Sequence, residues 1–201
     1  MIEDRTELRK VLEHDALANN RDTIKCRLFG DEIWKWIVCY RKMDYFSSAT
    51  RISLIDKIEK VYVKYLFHKL SVLLGYSIPV GKVGPGLSIA HVGAIVINGN
   101  TTVGKNLRIH EGVTIGATNG SKNAPQLGDN VFIGTGAKII GDLKIASDVA
   151  IGANAVVVKD IDESGTTWGG GGGPARKLSN HNSHSNLCAK LFADDYQNVK
   201  S

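Results

Sequence analysis

Residues 127 to 161 read LGDNVFIGTGAKIIGDLKIASDVAIGANAVVVKDI. Aliphatic side chains return in this stretch at every sixth position, and the same phase extends upstream. The positions in this phase are Val103, Ile109, Ile115, Leu127, Ile133, Ile139, Ile145, Ile151 and Val157. A period of six matches neither the 3.6-residue period of a helix nor the simple alternation of a strand. It predicts short strands separated by turns, with an apolar side chain pointing inward from each strand.

Three hexads close one triangular coil of about 18 residues, and stacked coils bury an aliphatic column that a single coil could not bury alone. The repeat therefore predicts a parallel β-helix of four to five coils within residues 76–173. Upstream, Val83, Ile89 and Ile95 keep the period but lie two residues out of phase, which predicts a small insertion around residues 96–99. The segment ATNGSKNAPQ at 117–126 lacks an aliphatic position and predicts a loop.

Residues 1–75 have a different character, because only Gly30 and Gly75 of the 22 glycines lie there. Apolar residues recur at helical spacing and predict a domain of three or four helices that ends at Gly75. Residues 174–201 are predicted to form a C-terminal tail with a terminal helix at 186–199. Two helical sets are predicted to pack in the core: the face Ile55, Ile58, Val61, Tyr62, Tyr65 and Leu66, and the aromatics Trp34, Trp36, Tyr40, Tyr62 and Tyr65.

The net charge of +5 is spread along the chain without a long basic run, which gives little support to nucleic-acid binding. A modest positive field suits a phosphate-bearing small molecule equally well. The three cysteines, Cys26, Cys39 and Cys188, have no paired spacing and predict a reducing, cytoplasmic location. The apolar window 61–74 is interrupted by Lys64, His68 and Lys69. This window is too short to span a bilayer and leaves open only a peripheral membrane contact.

The strings GLSIAHVGAIVI (86–97), GKNLRIHEGVTIGA (104–117) and GPARKL (173–178), together with the repeat, resemble the hexapeptide-repeat acyltransferases. The resemblance runs from Ile78 to Leu178 and is greatest to the serine acetyltransferase branch, which includes sugar- and capsule-modifying relatives. It implies a left-handed parallel β-helix and acyl transfer from acetyl-CoA. It also implies a homotrimer with active sites between adjacent subunits.

By this resemblance His91 falls on the catalytic histidine, which acts as a general base toward an acceptor hydroxyl. A backbone N–H near Gly116 or Ala117 is the expected oxyanion donor. The small residues Ala117, Thr135 and Ala153 recur at intervals of three hexads and are expected to line one corner of the prism. The residues that the resemblance assigns to acetyl-CoA are Gly116, Ala117, Thr135, Ala153, Lys159 and Arg176, the last two near the phosphates.

Other histidines receive no catalytic role. His110 follows His91 by close to one coil and is expected to lie near it with a structural or surface role. A histidine-rich metal site needs a third histidine, and residues 77–167 hold no other, so no metal is expected. His181 and His184 lie in the polar string SNHNSHSN and are predicted to be solvent-exposed.

The sequence also departs from the serine branch. Ala90 and Ser77 replace two aspartates beside the catalytic histidine, and Asn123 and Ala124 replace an arginine and a histidine that help to bind the amino acid. The expected acceptor is therefore a sugar hydroxyl of a glycan, a polysaccharide or its precursor, acetylated by direct transfer. The alternatives are a serine O-acetyltransferase of cysteine biosynthesis and a catalytically inactive scaffold. The glycine run 169–173 is predicted to be a linker.

Overall fold

The structure, a computed structural model, describes residues 2–49, 53–170 and 174–180. It begins with three helices, α1 (Arg5–Ala18), α2 (Glu32–Ser48) and α3 (Leu54–Leu74). Ser53 starts α3 with a capping box, in which its side chain and that of Asp56 each accept from the other's backbone N–H. Gly75 ends α3 with a φ of 77°, a left-handed conformation that glycine adopts without strain. Helix gives way to strand directly after this residue.

Fourteen short strands follow in the described part of the chain. They form three sheets, in the orders β1-β3-β6-β9-β12, β10-β7-β4 and β14-β13-β11-β8-β5-β2. All pairs are parallel except β13 with β14. The strands are β1 (Tyr76–Ser77), β2 (Ser88–Ile89), β3 (Ile95–Ile97), β4 (Thr102–Val103), β5 (Arg108–Ile109), β6 (Thr114–Gly116), β7 (Gln126–Leu127), β8 (Phe132–Ile133), β9 (Lys138–Ile140), β10 (Lys144–Ile145), β11 (Ala150–Ile151), β12 (Val156–Val157), β13 (Thr167–Gly169) and β14 (Arg176–Ser179).

Successive strands of one sheet belong to successive coils of a three-sided prism, as the hexad predicts. Phe132 pairs with Ala150, which is the regular offset of three hexads. Thr114 pairs with Lys138, an offset longer by one hexad, because the coil between them carries the loop after β6. Ser88 pairs with Arg108, an offset two residues longer than three hexads, whereas Val96 pairs with Thr114 at the regular offset. An insertion is therefore present, but its predicted position at 96–99 is wrong, because the extra residues lie in the turn between β2 and β3.

The aliphatic column of the repeat is the core of the prism. Every hexad position of the quoted phase is buried, with exposures between 0% and 6%. Trp36, Ile37 and Tyr40 of α2 are fully buried and join this column in one continuous core. The helices therefore cover one end of the prism through α2, while a second cluster that includes Leu12, Phe46 and Val63 packs the three helices against one another.

A buried ion pair joins the helices to the first coil. Arg41 Nε donates to Asp15 Oδ2 (2.6 Å), and Arg41 Nη1 donates to the carbonyl oxygen of Val83 (2.7 Å). Asp15 Oδ1 accepts from the amides of Gly86 (2.7 Å) and Leu87 (2.9 Å). Both side chains are almost completely buried, at 2% and 0% exposure. Each charge is therefore both paired and hydrogen-bonded, the condition under which buried charges are tolerated.

The predicted core face of α3 is wrong. Tyr62 and Tyr65 are 61% and 62% exposed, whereas Trp34, Trp36 and Tyr40 are buried as predicted. α3 is apolar around most of its circumference, and α1 and α2 cover only the side that carries Val63. The exposed apolar residues of α3 are Leu54, Ile55, Ile58, Val61, Tyr62, Tyr65, Val72 and Leu73.

Among the described residues, no helix is long and apolar enough to cross a membrane. The predicted tail begins with a strand, because β14 pairs antiparallel with β13 and continues one sheet of the prism. Three predictions lie outside the described residues: the glycine linker at 171–173, the terminal helix at 186–199, and the exposure of His181 and His184.

Candidate functional site

His91 lies in the turn between β2 and β3, and its side chain is exposed. The turn is held from inside the protein, because the hydroxyl of Tyr76 donates to the backbone carbonyl of His91 (2.9 Å). The ring of Tyr76 in turn meets Trp36 of α2 edge-on, with 5.2 Å between the centroids. The aromatic core of the helices thus supports the backbone that presents the candidate base.

His110 lies beside His91, as expected from its place in the sequence. Ser88 pairs with Arg108, and the amide of Ala90 donates to the carbonyl of Ile109, so His110 follows one coil later at the same corner. The two imidazoles meet edge-on with 5.6 Å between their centroids. The opposite side of His110 packs against Phe132 at 5.2 Å. Its ring is thus enclosed between a histidine and a phenylalanine.

Glu111 completes the cluster, and the sequence reasoning missed it. One carboxylate oxygen of Glu111 and one ring nitrogen each of His91 and His110 all lie within 4.8 Å of one another. Gly93 makes room for this carboxylate, because a Cβ at residue 93 would lie 2.8 Å from the Cβ of Glu111. The signal was the phase shift of the repeat, since the extra residues between β2 and β3 lie in the turn that carries His91, and this turn places Gly93 over Glu111.

The charges in the cluster follow from its surroundings. Burial lowers the pKa of His110, and the Arg108 guanidinium lowers it further. Hydrogen bonds from its own backbone N–H and from Thr135, together with the neighbouring imidazoles, hold the pKa of Glu111 below its usual range. Burial, then the charge of Glu111, raises the pKa of Tyr76 to about 12. At neutral pH the site thus presents a carboxylate, a neutral His110 and a neutral phenol.

The same cluster is where a cation could be held. Among the described residues it is the one group of three or more His, Cys, Asp or Glu side chains close enough to share an ion. The expectation of no metal assumed that the third donor would be a histidine, whereas the structure supplies a carboxylate. Nε2 of His110 and Oε2 of Glu111 are buried without a hydrogen-bond partner.

Thr135 and Ala153 lie on the same corner as the cluster. The amide of Gly136 donates to the carbonyl of Glu111 (2.9 Å), and the amide of Asn154 donates to the carbonyl of Thr135 (2.8 Å). Residues 111, 135 and 153 therefore stack on successive coils. Of the residues expected to contact acetyl-CoA, Thr135 thus lies one coil from Glu111 and Ala153 lies two coils from it.

The expected alignment of Ala117 with Thr135 is wrong. Gly116 pairs with Ile140, and the amide of Gly141 donates to the carbonyl of Gly116 (2.9 Å), so Ala117 stacks near Gly141. The loop after β6 lengthens its coil by one hexad, and a spacing of three hexads across it no longer marks one corner. Gly116 and Ala117 lie at the opposite end of the β6 face from Glu111.

The two predicted phosphate-binding cations are exposed at different places. Lys159 follows β12, and the pairing of β12 with β9 stacks it near Gly141, on the corner of Ala117. Arg176 lies in β14 and pairs with Gly169 in the last coil. The residues expected to bind acetyl-CoA therefore lie at three places: two corners of the prism and the end of one sheet.

The predicted loop is present and carries neutral groups where the serine branch has charged ones. Asn123 Nδ2 donates to Asp142 Oδ2 (2.7 Å), and Gln126 Nε2 donates to the carbonyl of Ala124 (2.9 Å). Ala124 is 1% exposed. The loop is slightly shorter than predicted, since Gln126 already belongs to β7.

Comparison with known proteins gives one consistent result. Residues 124–159 match the family model described as bacterial transferase hexapeptide (six repeats). The serine acetyltransferase of Staphylococcus aureus strain Mu50 is 30% identical over 171 residues, which cover 82% of this chain and 74% of the relative.

Solved structures extend the likeness to the helices. The crystal structure of serine acetyltransferase from Brucella abortus strain S19 has a TM-score of 0.66 and 25% identity, covering 89% of this chain and 72% of that one. A serine acetyltransferase in complex with CoA has a TM-score of 0.62 and 26% identity, covering 87% and 70%. The prediction of a left-handed parallel β-helix with N-terminal helices is confirmed.

Proposed function

The chain belongs to the serine acetyltransferase-like branch of the hexapeptide-repeat acyltransferases and uses acetyl-CoA, and we propose that it transfers the acetyl group to the hydroxyl of L-serine. The observation that carries this proposal is the relationship itself: the Staphylococcus relative and both solved structures bear the name serine acetyltransferase. This relationship supports serine, the alternative in the sequence reasoning, ahead of a sugar. An acyltransferase also leaves no ground for the inactive scaffold.

His91 is the proposed general base. Its ring is exposed at the corner where the acceptor must approach, and its backbone is fixed by Tyr76. A ring nitrogen takes the proton of the acceptor hydroxyl while the oxygen attacks the thioester carbonyl. The tetrahedral oxyanion then collapses, the C–S bond breaks, and the imidazolium returns the proton to the CoA sulfur. No acyl-enzyme is required.

Glu111 is the proposed replacement for the two missing aspartates. Its ionised carboxylate lies within 4.8 Å of both imidazoles. A negative charge at this distance favours the imidazolium that forms when His91 accepts the proton. We therefore assign Glu111 the charge that Ala90 and Ser77 do not supply.

We propose a homotrimer because, within one chain, the candidate base lies far from the residues expected to bind the oxyanion and the phosphates. His91 and Glu111 lie at one end of the β6 face, whereas Gly116, Ala117 and Lys159 lie at the other. Six residues at about 3.3 Å each separate Glu111 from Ala117, a span too long for one acetyl group to bridge. A site between two copies brings the base of one copy to the oxyanion and phosphate donors of the next.

A cytoplasmic location remains a proposal. The two cysteines within the described residues, Cys26 and Cys39, are free thiols, as a reducing compartment favours. The proposal of peripheral membrane contact rests on the exposed apolar face of α3, because large exposed apolar patches mark sites of association.

A sugar hydroxyl is the second candidate acceptor, and the β6–β7 loop is the observation that favours it. Asn123 is neutral and bonded to Asp142, and Ala124 is buried. Within this loop, those two positions therefore offer no cation to the carboxylate of an amino acid. A polyol needs no such cation.

Thiol release from acetyl-CoA tests these assignments. The acceptors are L-serine and a panel of monosaccharides, oligosaccharides and sugar nucleotides. We expect turnover with L-serine and a loss of about 10²–10⁴-fold in kcat for His91→Ala, the usual worth of a general base. His68→Ala removes an exposed histidine of α3 and serves as the matched control.

The outcomes separate the candidates. Turnover with a sugar alone overturns serine and favours the neutral loop as the determinant. Full activity of His91→Ala overturns the base assignment whichever acceptor is used. CoA binding by both variants, measured by calorimetry, shows that any loss of activity is not a loss of folding.

A further inference from the structure

The cluster of His91, His110 and Glu111 has the composition of a metal site as well as that of a base. Two imidazole nitrogens and one carboxylate oxygen form a ligand set that Zn²⁺ accepts in proteins, with a further position left for water. The three donor atoms already lie within 4.8 Å of one another. Small side-chain rotations would bring them around one ion.

The fold places these groups together by register. The offset between β2 and β5 stacks Ala90 on His110, and the turn that carries His91 returns with Gly93 over Glu111. Gly93 leaves space for the carboxylate, and Phe132 limits the position of the His110 ring. Backbone pairing rather than chance surface contact therefore brings the donors to one corner.

Two of the candidate ligand atoms form no hydrogen bond within the protein. Nε2 of His110 and Oε2 of Glu111 are buried and have no hydrogen-bond partner. Buried polar atoms are normally satisfied, so two orphans in one cluster indicate a missing ligand. A cation can accept lone pairs from an imidazole nitrogen and a carboxylate oxygen at once, and so fits both orphan atoms.

The charges that face the cluster set its affinity. Arg108 lies near His110 and opposes a cation, while the ionised Glu111 favours it. Tyr76 and Thr135 lie beside Glu111 and carry no charge at neutral pH. Lys138 Nζ, which donates to the carbonyl of Gly112, adds a second cation near the cluster, so moderate rather than very tight binding is expected.

We propose that His91, His110 and Glu111 bind a divalent transition-metal ion of the Zn²⁺ class, and that this ion reversibly inhibits acetyl transfer. Inhibition rests on the proposed role of His91, because a coordinated nitrogen has no lone pair for the acceptor proton. Binding rests on the cluster alone. The two parts can therefore fail separately.

Co²⁺ is the probe for binding, since its visible absorption reports nitrogen and oxygen ligation without any measurement of activity. Full-length protein, stripped with chelator, is titrated with CoCl₂ and the absorption is then displaced with ZnCl₂. We expect one equivalent per chain. Losing an outer-shell partner of a metal typically costs about 10–100-fold in affinity, and losing a ligand should cost at least as much, so His110→Asn and Glu111→Gln should each weaken Co²⁺ binding by more than tenfold.

Matched controls address the other histidines. His68→Asn removes an exposed histidine of α3, and the double variant His181→Asn/His184→Asn removes the pair in the C-terminal string. Both should keep the Co²⁺ spectrum unchanged. Zinc inhibition is measured by thiol release, each variant being compared with its own chelated rate, and His110→Asn should raise the inhibitory Zn²⁺ concentration more than tenfold.

Three results overturn the proposal. Co²⁺ binding that survives His110→Asn but disappears in the His181/His184 variant places the ion on the C-terminal string. Absence of any Co²⁺ absorption at millimolar metal removes the site. An enzyme that is inactive in chelator and restored by Zn²⁺ makes the metal a requirement and not an inhibitor. If His91→Ala loses Co²⁺ but keeps its activity, the site stands while the base assignment fails.

Discussion

The helical region and the β-helix share one core but hold their backbones in different ways. The helices satisfy their own backbone groups and attach to the prism through buried side chains, above all Arg41 and Asp15. The coils satisfy their backbone groups through the next coil, and their turns depend on residues with positive φ. We therefore expect long-range polar contacts to contribute most to the free energy of unfolding at the junction between helices and prism. Within the prism, we expect turn geometry to contribute most.

Deleting the junction carboxylate should have the largest effect on stability. Asp15→Ala removes the shorter of the two ion pairs of Arg41, the other being with Asp44, and leaves the amides of Gly86 and Leu87 without their acceptor. Breaking a buried ion pair from one side costs about 3–5 kcal/mol in the free energy of unfolding. The control is Glu13→Ala, because Glu13 forms an exposed pair with Arg9 (2.8 Å), and such pairs contribute about 0.3–0.5 kcal/mol. Urea unfolding measures both, and equal losses would contradict the role of the junction.

The junction should also make stability depend on pH. Burial raises the pKa of Asp44 to about 6, despite the opposing charge of Arg41 and the amide of Gly81. Between about pH 4 and 6 the unfolded chain has released this proton while the folded protein keeps it, so the contribution of Asp44 to stability falls as pH rises through that window. Asp44→Asn should remove this fall. Parallel unfolding curves for the two proteins from pH 4 to 7 would contradict it.

Substitution by glycine should be less destabilising than substitution by alanine at a left-handed turn of the prism, and more destabilising than alanine within a helix. Asn130 has a φ of 57°, accepts from Asn106 Nδ2 (2.7 Å) and donates to Asp148 Oδ1 (2.8 Å). Asn130→Gly loses the hydrogen bonds but keeps the left-handed turn, whereas for Asn130→Ala that conformation costs about 1–2 kcal/mol more. At the exposed helical position Lys10, glycine should instead be less stable than alanine by about 1 kcal/mol. The same rank at both positions would refute the difference in backbone support.

The hexad was sufficient to predict the prism, because its period reports which side chains point inward and the buried column follows directly. The register could not be predicted across the 117–126 loop, since a polar loop does not reveal how far it lengthens its coil. The loop adds one hexad to its coil, and for this reason the predicted alignment of Ala117 with Thr135 was wrong. Glu111 was missed at the upstream phase shift, because the sequence shows that the phase changes but not which side chains the change brings together.

The helical region was less predictable for another reason. The period of α3 indicates a helix but not which of its apolar sides is covered, because that depends on where α1 and α2 lie. Tyr62 and Tyr65 were therefore predicted to be buried and are exposed, while Trp36 and Tyr40 were predicted correctly. The missing acids at Ser77 and Ala90 were visible in the sequence, but their replacement by a carboxylate one coil away needed the three-dimensional register.

The smallest expected effect should be the same in both regions. Ile133 in the column and Ile37 in α2 are both 0% exposed and belong to the same hydrophobic core. Each change to valine removes one buried methylene and should cost about 0.5–1.5 kcal/mol. Equal losses of unfolding free energy, measured by thermal or urea unfolding, would show that the two regions bury apolar surface equally well. The regions would then differ only in how their backbones and polar contacts are supported. A markedly larger loss for Ile133→Val would instead mean that the narrow prism cannot collapse around a small cavity, and the contrast would then extend to packing.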